Sequence, residues 1–111
     1  MSFPDHYQIT ERTRFRVRYE IHPGREFAAT GVYWLRGFET VEDCQRAYVA
    51  ARQASGLGAS QFGEGNLFDQ AGQHLARISY NGRLWSPVPW HRGLAPLAEA
   101  PEITPQGDHA Q

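Results

Sequence analysis

The sequence predicts an α+β domain: an antiparallel sheet in the order ββαβββ, with one helix packed on one face. Three observations carry that prediction. Residues 13–22 alternate between apolar and charged side chains. Residues 40–56 carry an apolar stripe at helical spacing, bounded by helix start and stop signals. Residues 67–85 fall into short apolar runs separated by turn residues. The chain has 111 residues, 41% hydrophobic and 21% charged, which is enough to bury one core without disulfide staples. We place the α+β domain at residues 1–85 and a Pro-rich, extended or partly disordered tail at 86–111.

The first strand is read over residues 13–22. Phe15, Val17, Tyr19 and Ile21 point to one side, and Arg14, Arg16, Arg18, Glu20 and His22 to the other. "HPGR", His22 to Arg25, supplies a turn. A second strand follows from Phe27 to Phe38, rich in aromatic and β-branched residues. The expected register sets Ile21 opposite Phe27, Phe15 opposite Tyr33 and Thr13 opposite Leu35. It also sets Arg14 opposite Trp34 and Arg16 opposite Val32. A one-residue slip would turn Phe27, Tyr33 and Leu35 to solvent.

The helix is read from "TVEDCQRAYVAARQASG". Thr40 is its N-cap, Asp43 stands at the reciprocal capping position, and Glu42 and Asp43 suit the positive helix start. Val41, Cys44, Ala47, Tyr48, Ala51 and Ala54 form the apolar stripe, and Gly56 is the stop. Gly56 to Asn66 is a glycine-rich segment, read as a flexible connector or an exposed binding loop. Leu67 to Trp85 is read as a β-meander, with one turn over Asp69 to Gln73 and a type I′ turn at Asn81-Gly82. Ala76, Ile78 and Tyr80 are expected to share a face, with Arg77 and Ser79 on the other. Five of the seven prolines lie after Trp85. No period survives there, and Trp90 and Leu94 are the residues expected to dock on the body.

Most catalytic chemistries find no support. Gly58 to Gly63 has the G-x-x-x-x-G frame, but Glu64 and Gly65 stand where a phosphate loop needs Lys and Ser or Thr. No two of His6, His22, His74, His91 and His109 have metal-ligand spacing, and Cys44 has no cysteine partner. Cys44 lies on the apolar helix stripe, where cysteine acts as a small hydrophobe. No serine stands in a nucleophile-elbow context, and Glu64 and Asp69 imply no catalytic cleft. The expectation is a protein that is not an enzyme and holds no cofactor and no metal. The lone cysteine fits a cytoplasmic setting, and no apolar run reaches membrane-spanning length.

What stands out is "RTRFRVRYE", where Arg12, Arg14, Arg16 and Arg18 alternate with Thr13, Phe15, Val17 and Tyr19. All eleven cationic residues are arginine, a planar and permanently charged fork suited to carboxylate and phosphate. Same-face residues on a strand stand about 7 Å apart, so the row makes a linear cationic strip. Trp34, Tyr33 and Arg36 on the neighbouring strand are expected to add stacking surface. Arg77 and Arg83 extend the field if the meander joins the same sheet. Two readings stand side by side. The row is a true binding strip, or it is a solvated sheet face kept soluble by long polar side chains and neutralised by nearby glutamates. With a net charge of −1, any cationic surface is local.

From Thr40 to Trp85 the layout resembles small mobile-element proteins, and in particular one group of type I anti-CRISPR proteins. The residues that carry the resemblance are Asn81, Gly82, Arg83 and Trp85. It implies a stoichiometric inhibitor that binds a crRNA-guided surveillance complex and blocks nucleic-acid access.

The sequence reading is therefore a small, non-enzymatic binding protein of bacterial or phage mobile-element origin. Its expected binding residues are Arg12, Arg14, Arg16, Arg18, Trp34, Arg36, Arg77 and Arg83. The expected partner is an acidic protein surface or a nucleoprotein complex, with no membrane involved. The alternatives are a direct nucleic-acid binder and a small enzyme or ligand-binding domain using Gly56 to Asn66.

Overall fold

A computed structural model describes residues 7–22, 30–88 and 91–102. It shows the α+β architecture: β1 (Phe15–Ile21), β2 (Gly31–Phe38), α1 (Val41–Ser55), β3 (Gly65–Asp69), β4 (His74–Ile78) and β5 (Leu84–Trp85). The five strands form one antiparallel sheet in the order β2-β1-β3-β4-β5. The expected turn at Pro23 to Arg25, the start of the expected second strand at Phe27, and Trp90 lie outside the described residues.

β1 begins at Phe15, two residues later than the alternation predicts. Thr13 closes a tight turn instead, donating its N–H to Thr10 O at 3.1 Å. The β1–β2 register also differs. Arg18, not Arg14, lies opposite Trp34; Val17, not Thr13, lies opposite Leu35; and Tyr19, not Phe15, lies opposite Tyr33. The displacement is four residues. An even displacement returns every side chain to its own face, so the apolar pattern tolerates it. A β-bulge follows, because Phe15 pairs with Phe38 and leaves Arg36 and Gly37 opposite Arg16. Gly37 takes φ 86°, a left-handed conformation that costs glycine little.

The helix forms between its expected ends. Thr40 Oγ1 accepts the N–H of Asp43 at 3.0 Å, and Gly56 closes the last turn. Val41, Cys44, Gln45, Tyr48 and Val49 are buried, whereas Ala54 of the predicted stripe is exposed. The buried side of the helix is rotated toward the β4–β5 turn, and that turn is what Gln45 and Val49 face. Gln45 Nε2 donates to Gly82 O at 2.9 Å and to Glu99 O at 3.1 Å.

The core lies between the helix and one sheet face. Phe15, Val17, Leu67, Ile78 and Leu84 come from the sheet and Cys44 and Tyr48 from the helix. Burying a side chain of this size contributes about 1.5–3 kcal/mol. A second bulge, between Leu67 and Phe68, lets both Leu75 and Ala76 turn inward.

The glycine-rich segment is not a loose loop. Phe62 is buried against Tyr19 and Tyr48, with ring centroids at 4.8 and 5.5 Å. Around it the backbone zips to the end of β1: His22 N–H donates to Gln61 O at 2.7 Å and Gly63 N–H to Glu20 O at 2.8 Å. The buried aromatic outweighs the flexibility of the flanking glycines.

The β4–β5 turn also differs from the expected two-residue form. Gly82 N–H bonds to Ser79 O and Ser79 N–H to Arg83 O, so Tyr80 and Asn81 are the central residues. Gly82 occupies the following left-handed position at φ 93°. Beyond β5, the chain returns to the sheet edge: Leu84 N–H donates to Ala98 O at 2.9 Å, and Leu97 N–H to Leu84 O at 2.6 Å.

Candidate functional site: the open face of the sheet

The helix covers one face of the sheet. No helix or strand among the described residues covers the other. Pleating sends Arg16, Arg18 and Glu20 of β1 to this open face, because Phe15, Val17 and Tyr19 are committed to the core. Pairing then builds rows across the strands. One row runs Trp34, Arg18, Asn66, Arg77 and Trp85, touching all five strands. The next runs Arg16, Phe68 and His74.

Aromatic rings and guanidiniums interleave along these rows. The Arg16 guanidinium carbon lies 5.1 Å from the Trp34 ring centroid and that of Arg36 lies 5.0 Å away. Both are within cation–π range. Trp34 also meets Phe68 at 5.8 Å, and Phe68 stacks on His74 at 5.0 Å. Two buried nitrogens flank Phe68 without a hydrogen-bond partner among the described residues: Arg16 Nε and His74 Nε2.

The cations differ in how they are compensated. Arg18 pairs with Glu20 at 2.8 Å. Arg77 reaches Glu64 at 3.4 Å and donates from Nε to Ser86 O at 3.0 Å. Arg16 and Arg36 have no carboxylate within ion-pair distance among the described residues. The net positive character of the face therefore concentrates around Trp34.

The structure brings Arg16, Arg18, Trp34, Arg36 and Arg77 together on this face and leaves three expected residues away from its centre. Arg12 lies in the turn before β1. Arg14 spends one nitrogen on its own backbone, donating to Glu11 O at 2.8 Å and Thr13 O at 2.9 Å, with Glu39 3.8 Å from the other. Arg83 sits on the β4–β5 turn and pairs with Glu99 at 2.9 Å. Sequence reasoning missed Asn66, Phe68, His74 and Trp85 as members of the face. No alternation in the sequence singles out Phe68, because β3 reads Gly65, Asn66, Leu67, Phe68 and Asp69 and buries its aspartate.

At one end of the face, Arg18, Glu20, His22, Gly63, Glu64 and Asn66 line a cleft of about 230 Å³. Arg18 pairs with Glu20 inside it, His22 lies 3.9 Å from Glu20, and Glu64 reaches Arg77 beyond its lining. Cys44 is fully buried, and burial, with the Asp43 charge adding to it, pushes its thiol up to about 12. A thiol held neutral in this way is a poor nucleophile. Among the described residues, no group of three or more His, Cys, Asp and Glu side chains could hold a metal ion. Nor is any described helix long and apolar enough to cross a membrane.

The fold and this face define an α+β protein with an open arginine–aromatic surface. Compared with known proteins, the chain matches no family model, no curated protein and no solved structure.

Proposed function

We propose that the protein is a non-enzymatic binding protein that grips an acidic partner surface through the open face of its sheet, centred on Trp34. One observation carries this reading: Arg16 and Arg36 hold their charge over an exposed tryptophan with no carboxylate partner among the described residues. Arginine and tryptophan are the residue types that dominate binding energy at protein interfaces. A partner that supplies carboxylates here gains charge-assisted hydrogen bonds in forked geometry. Inhibition of a crRNA-guided complex in a bacterial or phage setting is one form of this reading. It is the form the resemblance at Asn81 to Trp85 brings with it.

The second reading is direct binding of nucleic acid, favoured by the interleaving of Trp34, Phe68 and His74 with arginines. The net charge of −1 and the neutralised state of Arg18 and Arg77 favour the acidic protein.

The test measures binding of poly-glutamate and of a single-stranded oligonucleotide across a salt series, for the natural chain and the Arg16→Gln/Arg36→Gln double variant. The proposed function expects poly-glutamate to bind the natural chain and not the variant. Preference for the oligonucleotide, with affinity falling steeply in salt, moves the assignment to nucleic acid. Equal behaviour of both chains leaves the face a solvated surface.

A further inference from the structure

The two edges of the sheet end differently. β5 is two residues long, and the chain's own return at Leu97 and Ala98 hydrogen-bonds to Leu84 there. β2 is eight residues long and stands last in the strand order, paired with β1 alone among the described residues. An edge strand carries a row of outward N–H and C=O groups, a template for one more strand. Proteins blunt such edges with charge, proline or a bulge. In β2 the bulge comes only at Arg36–Gly37. Gly31 to Leu35 pairs regularly and contains no charge and no proline. It also exposes three large apolar residues in succession, Val32 at 49%, Tyr33 at 46% and Trp34 at 36%.

The side chains flanking this edge say what kind of strand it fits. On the open face stand Trp34 and the guanidiniums of Arg16 and Arg36, uncompensated by carboxylate among the described residues. On the helix side Tyr33 stacks on Tyr19 at 5.5 Å, and Leu35 packs against the core. One face of an added strand would meet positive charge and an indole. The other would meet apolar surface.

We propose that the outer edge of β2, Gly31 to Leu35, is a strand-addition site for an extended segment of a partner protein in which acidic and apolar residues alternate. The acidic side chains face Arg16 and Arg36, and the apolar ones lie beside Tyr33. Main-chain hydrogen bonds hold the segment, and the alternation sets its register. The inference rests on the acidic-partner reading above and specifies how that partner is held.

The test uses the full chain labelled for amide-resolved NMR and two capped peptides. One alternates Glu and Val over seven residues; the other has the same composition in two blocks. The alternating peptide is expected to slow hydrogen exchange at alternate amides of Gly31 to Leu35, and the block peptide is not. In the Arg16→Gln/Arg36→Gln variant its affinity is expected to fall about tenfold or more. Peptide-induced shifts at Arg16, Arg18 and Arg77 with no added protection in β2 overturn the edge site and leave the acidic-partner reading standing. Failure of both peptides and of poly-glutamate to bind overturns both. Protection of β2 that grows with protein concentration alone assigns the edge to a second copy of this chain and overturns the partner proposed.

Discussion

The guanidinium of Arg16 lies 5.1 Å from the ring centroid of Trp34, although the two residues are diagonal neighbours on different strands. Arg36 reaches the same ring from two residues further along β2. Removing the exposed Arg36 charge is expected to cost about 0.5–1 kcal/mol of stability, and removing the half-buried Arg16 charge up to about 2 kcal/mol. Urea denaturation of Arg16→Gln and Arg36→Gln reads that loss. Neither variant should unfold, so a loss of poly-glutamate binding in them reports on the surface and not on the fold.

Gln45 ties three elements together from a fully buried position. It is 2% exposed, and its one amide nitrogen serves the carbonyls of Gly82 and Glu99. Gln45→Leu keeps the volume and leaves both carbonyls without that donor. A buried polar group left unpaired costs about 1–3 kcal/mol. The midpoint of denaturation should fall accordingly, and amide exchange at Leu97 and Ala98 should speed up because the return strand loses its anchor. Unchanged exchange there would show that the Leu84 hydrogen bonds alone hold the strand.

Gly82 is placed where no other residue fits. A Cβ there would stand 2.8 Å from Val49 Cγ2, on a backbone with φ 93°. Gly82→Ala combines a left-handed conformation with a clash against the helix. It should destabilise the chain by about 2 kcal/mol or more, read as a fall in thermal midpoint. An alanine tolerated without loss would show that neither the left-handed backbone nor Val49 constrains this position.

Alkaline pH should weaken the fold. Burial pushes the Cys44 thiol up to about 12 from an ordinary 9.0. For Tyr7, burial comes first, followed by its hydrogen bond to Asp69 and the charge of that carboxylate; together they push the phenol up to about 12 from 10.0. Burial also raises Tyr19 and Tyr48. Each group keeps its proton longer in the folded chain than in the unfolded one. The unfolded state therefore binds fewer protons above pH 9, and stability falls with rising pH. Denaturant midpoints should be level up to about pH 9 and decline between about pH 9 and 12. Iodoacetamide should label Cys44 only after unfolding.

Local pattern was enough for the faces of β1 and the ends of α1. The period-two alternation of Phe15, Val17 and Tyr19 assigned the core and open faces of β1, because pleating acts residue by residue. Thr40 and Gly56 marked the helix ends, because capping is chemistry within one turn. The ββαβββ order followed from those local readings.

Tertiary structure decided how the elements meet. The β1–β2 register moved by four residues, which no alternation can detect, because an even shift leaves every side chain on its own face. The open face was half legible for the same reason. Arg16, Arg18, Trp34, Arg36 and Arg77 were found from their own strands. Phe68 and His74 joined them only once β3 lay beside β1 and β4 beside β3. Gln45 lies outside the expected stripe, and it is buried because the β4–β5 turn and the C-terminal return supply two carbonyls at its amide. The two faces of β1 are a property of the local chain, whereas the buried face of α1 is set by what packs against it. Pairing, compensation of charge and the position of β2 at the end of the strand order exist only when residues far apart in sequence are brought together.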